Sequence, residues 1–182
     1  MQRMMVVAWV AVAVAACADQ PKTTVGFQLG DVRTFAQWAL AQGPMWIDVR
    51  GQPFAASRAE LEAAVKTAAT DATNWTADPR FTASADEAGV PTMRIVITFN
   101  SAIDGQGNCA TLPAGGGLRP DGTVTVAASF CDGAGLMSHV NGSVDTTGGL
   151  SDPRFHALLR QVIADLLPMP ARRGQGGIRM GV

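Results

Sequence analysis

Tyrosine is missing from the 182 residues, lysine occurs only as Lys22 and Lys66, and histidine only as His139 and His156. Twelve arginines are offset by acidic residues to a net charge of −1. That near-neutral balance gives no electrostatic reason to expect nucleic acid, which needs a concentrated basic face. Two histidines and three cysteines are too few for a metal site of the usual ligand count. No Gly-x-Ser-x-Gly stands at a strand-to-helix turn, and no Gly-Lys-Ser/Thr follows the glycines at 115 to 117. A nucleophile elbow and a phosphate loop are therefore both absent, and no cofactor motif is present. No apolar run reaches the roughly 20 residues of a membrane-spanning helix.

The amino terminus is where the sequence is most specific. Arg3 supplies a positive charge, and Met4 to Ala16 are uninterruptedly apolar, matching the n-region and h-region of an export signal. The run ends in Val14-Ala15-Ala16-Cys17, where small residues at 15 and 16 fit a peptidase groove. This segment resembles the lipobox of bacterial lipoproteins. The resemblance implies that residues 1–16 are a signal peptide and that cleavage falls before Cys17. It also implies a diacylglycerol on the Cys17 sulfur and usually an acylated amino terminus. Each buried methylene is worth about 0.8 kcal/mol, so two or three acyl chains anchor stably where one would be marginal. Ala18, rather than Asp, follows the cysteine, which by the same resemblance implies the outer rather than the inner membrane, facing the periplasm. An ordinary secretory signal cleaved near Ala18, with Cys17 incidental, is the competing reading. Loss of Arg3 with the leader takes the net charge from −1 to −2.

Setting Cys17 aside leaves Cys109 and Cys131, an even pair in a compartment where disulfides persist. A bridge closing this loop is worth roughly 3 kcal/mol in the chain-entropy model. A redox pair would show Cys-x-x-Cys spacing, and a metal site would need further ligands.

Along the mature chain, residues 18 to 29 read as a tether and a possible strand. Asp31 opens a helix with Val32, Phe35, Trp38 and Ala39 on one face, stopped by Gly43-Pro44. Met45, Ile47 and Val49 alternate as a strand. Ser57 and Glu60 form a capping box before a helix bearing Leu61, Ala64, Val65, Ala68 and Ala72. Arg80 to Ala83 are a possible short strand. Met93, Ile95, Ile97 and Phe99 alternate as the clearest core strand, and residues 100 to 119 read as a glycine-rich loop. Val124, Val126, Ala128 and Phe130 predict one arm of a hairpin, and Leu136, Ser138, Val140 and Val144 share one face of the other. Asp152-Pro153 opens a final helix with the stripe Phe155, Leu158, Leu159, Val162 and Leu166. The tail from 171 is rich in Arg and Gly.

These elements predict an α+β domain over residues 30–170, with an antiparallel or mixed sheet of about four strands and two or three helices on one face. Residues 17–29 form a lipidated tether and 171–182 a flexible tail in this scheme. His139 is expected on the outward face of the hairpin and His156 in the first turn of the last helix, both as surface residues. Asp104 to Asn108 faintly resemble a calcium loop, but the twelfth position holds Gly115 instead of glutamate, so a flexible loop is expected. The arginines at 172, 173 and 179 are expected to be solvated. Trp38, Trp46 and Trp75 are expected in the core or at its rim.

The functional expectation is a lipid-anchored envelope protein that works by binding a protein partner or a cell-wall component. A periplasmic hydrolase or small-molecule binder with scattered site residues, Asp48 or Asp145 among them, is the alternative.

Overall fold

A computed structural model describes residues 20–110, 115–145 and 148–168. The signal peptide, Cys17 and the tail from 171, with its three arginines, lie outside the described residues. Six strands form one mixed sheet: β1 (Lys22–Gln28), β2 (Met45–Arg50), β3 (Phe81–Thr82), β4 (Met93–Phe99), β5 (Thr123–Asp132) and β6 (Gly135–Asp145). Their spatial order is β1-β6-β5-β4-β2-β3. The pairs β2/β3 and β2/β4 are parallel, and the other three are antiparallel. The sheet thus has six strands where about four were expected. The two added strands are its edges, β1 and the two-residue β3.

Three helices cover one face: α1 (Val32–Gln42), α2 (Arg58–Ala72) and α4 (Pro153–Leu166). Alternation explains the strand faces. Ile95, Ile97 and Phe99 of β4 share the main core with Val126, Ala128 and Phe130 of β5 and with Met45, Ile47 and Val49 of β2. Helix α4 contributes Phe155, Leu158, Leu159, Val162, Ile163 and Leu166, all buried. It starts sharply because Asp152 accepts from the Arg154 amide and Pro153 occupies the first turn. Ser57 and Glu60 make the capping box of α2. Gly142 of β6 lets α4 approach closely, since a Cβ there would lie 2.6 Å from Val162 Cγ2.

Helix α1 turns differently from its expected face. Val32, Ala36 and Ala39 are buried, whereas Phe35 and Trp38 stand 41% and 51% exposed. The connection runs from the end of β1, at one edge, to the start of β2, four places along the sheet. Small residues allow α1 to lie close against the end of the core, and the large aromatics are left outside. Trp75 and Trp46 are half-buried, each with an arginine over its ring, Arg33 and Arg94 respectively.

A fourth helix, α3 (Gly105–Cys109), lies within the stretch expected to be a flexible loop. It packs on the opposite face of the sheet, so the helices are not confined to one side. Cys109 joins Cys131 there, with Cα atoms 5.5 Å apart, and Val96 and Leu136 complete a small second core.

Candidate functional site

The face beneath α3 holds the densest polar chemistry in the described residues. Asp104 caps α3 by accepting from the Gly107 amide, the role this carboxylate takes instead of calcium ligation. Asn108 is fully buried: its amide nitrogen donates to Ala127 O at 2.9 Å and to Ser129 Oγ at 3.2 Å, and Thr98 Oγ1 donates to its Oδ1 at 2.7 Å. Ser129 Oγ lies 3.0 Å from His139 Nδ1. Arg50 and Arg94 reach from β2 and β4 to the last carbonyls of α3, donating to Asn108 O and Cys109 O. Two cations at a helix C-terminus complement its partial negative charge. The Nε of Arg94 is buried and has no hydrogen-bond partner among the described residues.

His139 is therefore not a surface residue. It does face away from the main core, but α3 covers that face and leaves the side chain 5% exposed. Its ring is wedged between two glycines. A Cβ on Gly26 of β1 would lie 3.0 Å from its Cδ2, and one on Gly105 of α3 would lie 2.7 Å from its Cγ. Burial holds the imidazole pKa below its ordinary value of 6.5, against weaker opposing effects from hydrogen bonds with Ala128 and Asn141 and from the Asp104 charge. His156 stays at the surface, 3.6 Å from Asp71. Ser138, the sequence neighbour of His139, faces the other way and donates to Leu166 O.

The serine and histidine that touch are Ser129 and His139, a pair the sequence reading did not bring together. Both are enclosed, and the serine oxygen also accepts from Asn108. The arrangement fastens α3 to the sheet, and no described cleft opens onto it. Asp48 pairs with Arg50 at 2.6 Å, and Asp145 accepts from Thr123 Oγ1 at 2.9 Å, so the structure does not bring these carboxylates together. Among the described residues no group of three or more His, Cys, Asp or Glu is placed to hold a metal ion. None of the described helices is long and apolar enough to cross a membrane.

Among the described residues, two surfaces stand out. An open cleft of about 1010 Å³ lies where the β2–α2, β4–β5 and β6–α4 connections meet, bounded by Phe54, Glu60, Leu118, Arg119, Asp121 and Leu150 among others. Its charged groups are engaged locally: Glu60 in the α2 cap, where hydrogen bonds from Ser57 lower its pKa, and Arg119 with Asp121 at 3.6 Å. The second surface is the β1 edge. This strand pairs only with β6, which leaves its other side without a strand partner among the described residues. Val25 and Phe27 on it are 49% and 43% exposed, and Leu29 beyond it is 43% exposed. Phe35 and Trp38 of α1 follow at helical i, i+3 spacing.

The chain matches no known family model and no curated protein sequence. Among solved structures it is similar to a dodecameric PelC variant from Paraburkholderia phytofirmans. The identity is 13% and the TM-score 0.44, over 82% of this chain and all of that one.

Proposed function

We propose that this is a lipid-anchored envelope protein, held to the membrane through Cys17, that acts by binding a polypeptide partner along the β1 edge. The observation that carries this reading is the side of β1 that has no strand partner among the described residues, bordered by exposed Val25, Phe27 and Leu29. A free edge offers a row of backbone N–H and C=O groups to an incoming extended chain. The register shift between Val25 and Phe27 turns Val25 to the α4 face and Phe27 to the α3 face, so apolar side chains flank the edge on both sides. The strand carries one charge, Lys22, so little electrostatic repulsion guards it. The reserved sulfur of Cys17 and the apolar leader before it support the anchor. The polar network under α3 serves in this reading to brace the sheet behind the binding edge.

The test is capture of a partner by the membrane-extracted protein and two variants. Val25→Lys places a charge on the edge and should abolish capture with little change in melting temperature. Lys66→Glu on α2, remote from β1, should leave capture intact. Equal capture by both variants would defeat the edge-binding proposal.

A further inference from the structure

The polarity of the strands fixes which end of the domain the anchor holds. Lys22 pairs with Ser143, Ser143 with Thr125, Val126 with Phe99, and Thr98 with Arg50. The start of β1 therefore lies at the same end of the sheet as the end of β2 and the connection that enters β5. That connection is held there by backbone bonds from Gly116 N to Phe99 O and from Gln52 N to Gly116 O. Leu118 belongs to it, is 67% exposed and borders the open cleft. The opposite end carries Gln28, Met93 and Met45, and α1 with Phe35 and Trp38 connects Gln28 to Met45. The seven residues of β1 separate the two ends by about 23 Å.

We infer that the end bearing Leu118 and the cleft rests on the phospholipid surface, with β1 rising from it so that its edge faces sideways, and with α1 at the far end. This rests on the lipid anchor at Cys17 proposed above. Only residues 18–21 separate Cys17 from Lys22, so five Cα steps leash the start of β1 within about 18 Å of the lipidated sulfur. Leu118 lies at that leashed end as a large exposed apolar side chain on a loop. It can enter the headgroup boundary alone, without carrying a sheet edge with it. The competing pose lays the β1 edge itself on the bilayer. That pose is disfavoured because pressing the strand edge into the lipid would take its unpaired N–H and C=O groups out of water. Arg119, beside Leu118, is within one residue of the same surface. Asp121 and Asp145 at this end give no attraction to anionic lipid, so the contact is one with the zwitterionic interface.

Native tryptophans make the orientation measurable. Acylated protein is reconstituted in phosphatidylcholine vesicles with and without brominated chains, as wild type and as Leu118→Trp. Bromine quenching should be roughly twofold greater for Leu118→Trp than for wild type, whose Trp38 lies at the far end. Equal quenching of the two proteins would overturn the inference. So would quenching in the wild type that Trp38→Phe removes, because the α1 end would then be on the membrane. Mass analysis of the same sample reports whether Cys17 carries lipid. If it does not, the anchor proposal fails by itself. A chain beginning at Cys17 and coupled through that thiol to maleimide-phosphatidylethanolamine then restores the leash, and the same quenching comparison decides the orientation.

Discussion

Gly105→Ala places a methyl group where the fold has no room for it. The new carbon would lie 2.7 Å from both Cβ and Cγ of His139 and 2.9 Å from Leu136 Cδ2, about 1 Å inside ordinary carbon contact. Leu136 can rotate away, but His139 cannot. Its Cβ is fixed to the β6 backbone, Ser129 Oγ holds Nδ1 at 3.0 Å, and Gly26 closes the other side. Lifting α3 instead would strain the Cys109–Cys131 bridge and break the bonds from Arg50 and Arg94 to its last carbonyls. Against this, alanine is favoured over glycine in a helix interior by up to about 1 kcal/mol. That gain is small at the first position of a five-residue helix. Overpacking of about 1–3 kcal/mol wins, for a net loss near 2 kcal/mol. At about 2–4 °C per kcal/mol for a chain of this size, the melting temperature should fall by about 4–8 °C. Thermal melts of the wild type, Gly105→Ala, His139→Ala and the double variant, followed by circular dichroism at pH 7.5, measure this directly. The double variant should be less destabilised than the sum of the singles by about 1 kcal/mol or more. A Gly105→Ala protein that melts with the wild type, or strict additivity, would refute the wedge.

Three further outcomes follow from the same contacts. Because His139 is harder to protonate folded than unfolded, stability should be full above about pH 6.5 and fall as pH drops below it. His139→Gln should flatten that slope between pH 7.5 and 5, and an unchanged slope would assign it elsewhere. The Asp152 carboxyl is held at about 2 by its hydrogen bond with Arg154, helped by the Arg154 amide and charge. Its stabilisation should be present above about pH 4 and lost as pH falls towards 2, and Asp152→Ala should cost roughly 1–2 kcal/mol in denaturant titrations at pH 7. Replacing Cys109 and Cys131 together by serine should cost about 3 kcal/mol. It should also raise hydrogen exchange in α3 before β4 or β5, and uniform exchange would show that the bridge does not serve α3.

The long amphipathic elements were legible because their periodicity spans several turns or pleats. The α4 stripe and the alternation of β4 and β5 lie in the main core as read. The edges were harder. Phe81–Thr82 is too short for any period, and β1 reads weakly because most of it is exposed. Helix α3 gave no signal, since Gly-Gln-Gly-Asn-Cys has no apolar repeat and is held by Asp104, the disulfide and two distant arginines. The pairing of Ser129 with His139 depends on a bulge. Cys131 faces Leu136, but Phe130 faces Ser138, so Met137 is the extra residue. A regular hairpin would have set Ser129 against Ser138 and His139 against Ala128. Leu136 lies opposite Cys131 in either register; the same bulge turns Val140 and Val144 to the main core, so Leu136, in the second core, does not share their face as expected. The β1 edge was foreseeable only as a kind of surface, because which strand is outermost depends on topology.

Membrane fractionation with mass analysis of the amino terminus tests the anchor at Cys17 most directly. Wild-type protein should sediment with membranes as a chain beginning at an acylated Cys17, and Cys17→Ser should appear unacylated in the soluble fraction. A wild-type chain cleaved near Ala18 without lipid, or a Cys17→Ser protein still acylated and membrane-bound, would contradict it.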